Sequence, residues 1–173
     1  RVRLIKGDAF FEVVPDPARP FRVMAGNTTV TVLGTAFDVR LGAEATDVAV
    51  RHGLVRVEDQ HVSPPAVESL RAGEWVRMGG KAGTSRGNTS PDEVAAWLRG
   101  ELVVRDWPIR DVVAEMRRYY SGVIVLGDAA FAGRRVSGIY DLHDPAATLR
   151  GLTAAHGATL RRLSPWLLVV TPD

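Results

Sequence analysis

The stretch Phe21-Arg22-Val23-Met24-Ala25-Gly26-Asn27-Thr28-Thr29-Val30-Thr31-Val32 sets apolar residues two apart, Phe21 with Val23 and Val30 with Val32, on either side of a Gly-Asn pair. That period buries one face of a strand, and Gly-Asn is turn chemistry. The pattern repeats downstream in Phe37, Val39 and Leu41, then Val48 and Val50, then Val55 and Val57. Gly7-Asp8, Asp16-Pro17, Gly42, His52-Gly53 and Gly73 punctuate it. Short strands at a spacing of roughly 8–12 residues, with no helical period between them, predict an all-β lobe over residues 1–80. A sandwich, a barrel and a solenoid-like arrangement all satisfy the pattern.

The apolar alternation stops near Gly79, and Gly, Ser, Thr, Asn and Lys take over, so residues 81–90 read as a linker. Residues 91–173 then change character. Ser90-Pro91-Asp92-Glu93 combines a capping serine, a proline at the first helical position and a glutamate three residues after the cap. It predicts a short helix with Val94, Trp97 and Leu98 on one stripe, closed by Gly100. Leu102–Arg105 reads as a strand. Pro108 opens a second helix whose Ile109, Val112, Val113 and Met116 fall at i, i+3, i+4 and i+7. Val123–Leu126 and Arg135–Tyr140 read as strands, Asp144-Pro145 caps a third helix, and strands close the chain around Ala158–Leu163 and Trp166–Thr171. Consecutive β-α-β units of this length predict a small α+β lobe.

Composition narrows the function. The 173 residues carry 22 Lys+Arg against 20 Asp+Glu, and hydrophobic residues make up 46%, which suits a folded chain of one domain or two small ones. The basic pairs Arg117-Arg118, Arg134-Arg135 and Arg161-Arg162 are dispersed among acids, so no nucleic-acid partner is expected. Absence of cysteine removes disulfides, thiolate nucleophiles and Cys-based zinc sites. Apolar runs are far shorter than the ~20 residues that span a bilayer. The chain begins at Arg1 in strand-like sequence without a signal segment, which reads as a fragment whose membrane element lies upstream.

No catalytic or cofactor template fits. His52, His61, His143 and His156 never take the i, i+4 spacing of a helical zinc site, so no metal ligands are assigned. Ser137-Gly138 lacks the flanking glycine of a nucleophile elbow, and Gly79-Gly80-Lys81 lacks phosphate-loop spacing. Glu58-Asp59 and Asp92-Glu93 suit turns and helix starts, where exposed amides favour negative charge. Arg117-Arg118-Tyr119-Tyr120 closes a helix. Trp75, Trp97, Trp107 and Trp166 are expected mostly as core or interface anchors.

Several segments of the first lobe resemble the FecR family: Gly7-Asp8-Ala9-Phe10-Phe11-Glu12-Val13, Arg19–Val23, Val32-Leu33-Gly34-Thr35-Ala36-Phe37-Asp38-Val39, Val48–Val57 and Leu70–Glu74. The second lobe resembles the STN domain shared by secretins and TonB-dependent receptors. Its likeness lies in Ala96–Leu102, Asp106–Val113, Arg118-Tyr119-Tyr120 and Val136–Tyr140. These resemblances imply the periplasmic part of a single-pass inner-membrane anti-sigma regulator, not an enzyme. Its implied partner is the N-terminal signalling domain of a TonB-dependent outer-membrane receptor loaded with a ferric siderophore or similar ligand. An extracytoplasmic-function sigma factor would be reached only through an absent cytoplasmic segment, and the membrane only through an absent helix. The alternatives are a structural or assembly module of a secretion system and a small-ligand-binding β protein.

Small α+β lobes leave sheet edges open to partner strands. The expected partner-binding residues are therefore Val123, Ile124 and Val125 on one strand, and Trp166, Leu167, Leu168 and Val169 on another.

Overall fold

The computed structural model describes residues 1–42, 45–60, 64–79 and 83–172. The chain divides into two compact units, Arg1–Ala95 and Ala96–Asp173. In the first, ten strands follow one another: β1 (Val2–Leu4), β2 (Gly7–Glu12), β3 (Phe21–Ala25), β4 (Thr28–Val32), β5 (Ala36–Leu41), β6 (Ala45–His52), β7 (Leu54–Asp59), β8 (Ala66–Arg71), β9 (Glu74–Gly79) and β10 (Ser85–Asn88). They form two five-stranded sheets, ordered β1-β3-β4-β7-β8 and β10-β9-β6-β5-β2. All pairings are antiparallel except that of β1 with β3.

The period-two positions of the sequence point into a single core shared by the two sheets. Val23, Val30, Val55, Val57 and Leu70 come from one sheet, Phe37, Val39, Val48, Val50 and Val76 from the other, and all are fully buried. Phe11 of β2 bridges them, its ring 5.7 Å from Phe21 and 5.3 Å from Phe37. Of the three predicted all-β forms, this shared core is that of a sandwich. Leu33-Gly34-Thr35 has a packing reason. A Cβ on Gly34 would lie 2.5 Å from Pro15 Cα, and the passing segment is pinned by Val13 N–H to Thr35 O and Asp16 N–H to Leu33 O, both 2.8 Å. Only hydrogen fits there.

The segment read as a linker contributes structure instead. β10 pairs with the edge of β9, and the first unit continues to Ala95. The helix expected after Ser90 is replaced by two 3₁₀ turns, Pro91–Glu93 and Ala96–Arg99. Glu93 does accept the Ser90 N–H at 3.2 Å, as the capping pattern predicts. Val94 is extended, however, and Ala95 takes φ +57°. Tertiary contacts override the local propensity: Val94 and Ala95 are buried, and Arg51 Nη2 of β6 donates to Val94 O at 2.5 Å.

The second unit runs β11 (Glu101–Pro108), α1 (Ile109–Met116), β12 (Val123–Leu126), α2 (Ala129–Gly133), β13 (Arg135–Asp141), α3 (Pro145–Ala155), β14 (Ala158–Ser164) and β15 (Leu167–Pro172). α1 starts after Pro108 and fully buries Ile109, Val112, Val113 and Met116, the four positions its spacing selects. Asp144 caps α3 by accepting the Ala147 N–H at 2.9 Å. The short α2, which the sequence pattern did not disclose, is capped by Asp128 and buries Phe131. β11 pairs with β13 in a two-stranded sheet, and β12, β15 and β14 form a three-stranded one in that order. Both sheets and all three helices contribute to one core, so each sheet keeps a face turned away from it.

Candidate functional site

The seven expected partner-binding residues all lie in or beside the three-stranded sheet, and the structure sorts them by face. β12 pairs parallel with β15, matching Val123 to Leu167, Ile124 to Leu168 and Val125 to Val169. Registered partners share a face, and faces alternate along each strand. Ile124 and Leu168, each 1% exposed, therefore point into the core, where they hold the sheet in place. Val123 and Val125, 58% and 39% exposed, share the outer face with the half-buried Leu167 and Val169. Arg161 of β14, in register with Val169, borders them.

Trp166 lies outside the strand, in the turn before β15, and is 69% exposed. It is no core anchor. Leu163, 65% exposed, falls at the register shift near the end of β14, just before that turn. Of the other tryptophans, Trp97 and Trp107 pack against the core of the second unit, as expected, and Trp75 is half-buried on β9. Val123, Val125, Leu167 and Val169 thus face away from the protein interior, and the exposed Trp166 directly precedes Leu167 in the chain.

The edges divide the two candidate strands. β15 is flanked on both sides, by β12 and β14, so its backbone is not available to a partner strand. β12 is a sheet edge. Its Val123 N–H reaches Trp166 O at 2.6 Å, and Gly127 N–H reaches Val170 O at 2.9 Å. Alternation along a parallel ladder then directs the Ile124 backbone groups outward. The Ile124 carbonyl is already engaged: Arg117, just past the end of α1, donates to it through Nε at 3.0 Å and Nη2 at 2.6 Å. That guanidinium was read as a helix-end charge, but it guards the edge.

Elsewhere in the unit, the polar groups are local fixtures. His143 donates its backbone N–H and pairs through Nδ1 with Asp141, both at 2.8 Å, and these bonds hold the Asp141 carboxyl below its ordinary range. Burial raises Tyr140 above the usual phenol value. Among the described residues no three His, Asp or Glu side chains gather as a metal site would require. His61, Gly80 and Lys81 lie outside the described residues. Ser137 Oγ accepts the Asp106 N–H at 2.9 Å across the bulge in β11, where Asp106 takes φ +53°.

The described residues thus form a β sandwich followed by an α+β unit with an apolar outer sheet face. Residues 1–56 match the family described as FecR protein. Two crystal structures of a candidate anti-sigma factor from Parabacteroides distasonis ATCC 8503 are similar to the chain, with TM-scores of 0.86 and 0.85. In both, identity is 28%, and the match covers 97% of this chain and 78% of that one. No curated protein matches the sequence. The family match lies within the β sandwich, and the structural likeness spans both units. No described helix is long and apolar enough to cross a membrane.

Proposed function

We propose that the chain is the periplasmic signalling region of a FecR-type anti-sigma regulator, whose carboxy-terminal unit binds the N-terminal signalling domain of a TonB-dependent outer-membrane transducer. The bound state is relayed to an extracytoplasmic-function sigma factor that controls iron-siderophore uptake genes. In this reading the membrane helix and the sigma-binding segment belong to other parts of the protein. The observation that carries it is the outward apolar face of Val123, Val125, Leu167 and Val169 next to the exposed Trp166, in a chain whose residues 1–56 match the FecR family. Burying that face would supply the hydrophobic centre a protein interface needs, and an exposed tryptophan is the residue type most often found at its energetic hot spots.

The reading favours the face over the bare edge, because a strand added to β12 would have to displace Arg117 from the Ile124 carbonyl. Calorimetric titration with the transducer's signalling domain tests it. Trp166→Ser and Val123→Lys should each weaken binding at least about tenfold, or ~1.4 kcal/mol. Both residues are exposed, so the variants should melt like the parent. Unchanged affinity in both would remove this face as the site.

A further inference from the structure

Charges that are scattered along the sequence converge on the sandwich. On the outer face of the sheet β1-β3-β4-β7-β8, the pairing registers place Arg3 beside Met24, Arg22 beside Thr31, Thr31 beside Arg56, and Leu54 beside Arg71. Arg1 precedes β1 on the same side as Arg3. That face therefore carries Arg1, Arg3, Arg22, Arg56 and Arg71 against one acid of its own strands, Glu58. Among the described residues only Arg56 of the five is paired with a carboxylate, its Nε 2.6 Å from Glu58. A chain with a net charge of +2 has concentrated its positive field on one sheet face.

The face is also concave. A groove of about 480 Å³ runs over it, lined by Arg1, Arg22 and Arg56, by Met24, Thr29 and Thr31, and by Gln60 and the Arg56-paired acid Glu58, so Arg1 and Arg22 are its cations without a carboxylate partner. We infer that this groove binds an extended acidic segment of a partner polypeptide. Three features select that ligand. Guanidinium groups pair carboxylates in a bidentate fork, and threonine hydroxyls can bond either a carboxylate or a peptide group. Neighbouring strands are ~4.8 Å apart, so Arg22 and Arg56, on either side of Thr31, stand ~10 Å apart at the backbone, whereas alternate side chains of an extended peptide are ~6.8 Å apart. Arginine side chains are long enough to span that difference, so acids at alternate positions meet successive cations. The groove contains no aromatic ring on which a nucleic-acid base could stack, and the exposed Leu54 and Val67 on the same face suit the apolar residues of a polypeptide.

This site is separate from the carboxy-terminal surface and does not depend on what that surface binds. A fluorescein-labelled peptide of about ten residues alternating Glu and Thr is a direct probe, followed by anisotropy with the whole chain. Binding should be saturable and should fade as salt is raised to about 0.5 M. Arg22→Glu combined with Arg56→Glu should weaken it at least tenfold. Arg150→Glu with Arg162→Glu, which changes net charge equally in the other unit, should leave it within twofold. Absence of saturable binding, or equal loss in the two double variants, would overturn the inference. So would tighter binding of a single-stranded oligonucleotide or of phosphatidylglycerol vesicles than of the peptide. Thermal melts of each variant establish that a lost signal is not lost folding.

Discussion

Gly122 marks the closest backbone approach beside the apolar patch. A Cβ there would stand 2.3 Å from Trp166 O and 2.6 Å from the Tyr120 ring, and the first of these neighbours is backbone and cannot swing aside. Gly122→Ala should therefore lower stability by ~1–3 kcal/mol in urea unfolding, as overpacking does, and disturb the Val123 N–H bond that begins β12. Gly151 is the contrast, since a Cβ there meets nothing within 4 Å on the helix α3. Gly151→Ala should add ~0.5–1 kcal/mol by removing backbone freedom from the unfolded chain. Equal effects of the two substitutions would refute the packing argument. The sequence could not show what the backbone approaches at Gly122. The same blindness applies to Trp166: an indole's burial depends on whether it falls in a strand or in the preceding turn, and apolar content alone does not distinguish them. Val123–Val125 and Leu167–Val169 are apolar at every position, so no alternation indicates which members face outward.

Strands with a polar face were legible for the opposite reason. β4 and β6 alternate cleanly, and their buried positions are those the period selects. α1 was equally plain because its four apolar positions fall on one stripe. Failure came where distant contacts set the local conformation. Ser90–Glu93 holds good helix-starting chemistry, yet Arg51 engages the Val94 carbonyl and the helix does not form. Arg117 is a second case, a charge that suits a helix end by rule but spends its donors on the edge of β12. Arg117→Met would keep the length and remove those donors, leaving the Ile124 carbonyl open to any passing strand. We expect a loss of about 1 kcal/mol from the forfeited hydrogen bonds. We also expect faster amide exchange along β12 and concentration-dependent self-association in sedimentation velocity. A variant that stays monomeric with unchanged exchange would mean the guanidinium does not guard this edge.

Each of the two units encloses its own buried cluster, and this makes the position of the boundary a matter of stability rather than of composition. The Gly- and Ser-rich stretch after Gly79 looks like a natural place to cut, because its side chains give no apolar signal. Its backbone nevertheless matters: β10 closes the open side of β9 through a ladder running from Ser85 opposite Arg77 to Asn88 opposite Glu74. Arg86 adds ion pairs to Glu68 and Glu74 at 3.1 and 3.3 Å, and the turn beyond supplies the Val94 carbonyl to Arg51. The exposed ion pairs contribute little, and the ladder and the Arg51 bond contribute most. A fragment of residues 1–80 should therefore be less stable than one of residues 1–95 by ~2 kcal/mol, which for a unit of this size lowers Tm by roughly 10 °C. It should also be more prone to aggregate, since β9 would present an uncovered edge. Residues 96–173 alone should unfold in one cooperative transition, because their helices and both sheets share a single core. Coincident melting of the two amino-terminal fragments would show that β10 and the turn after it are passengers, and the sandwich would then end where the apolar alternation does.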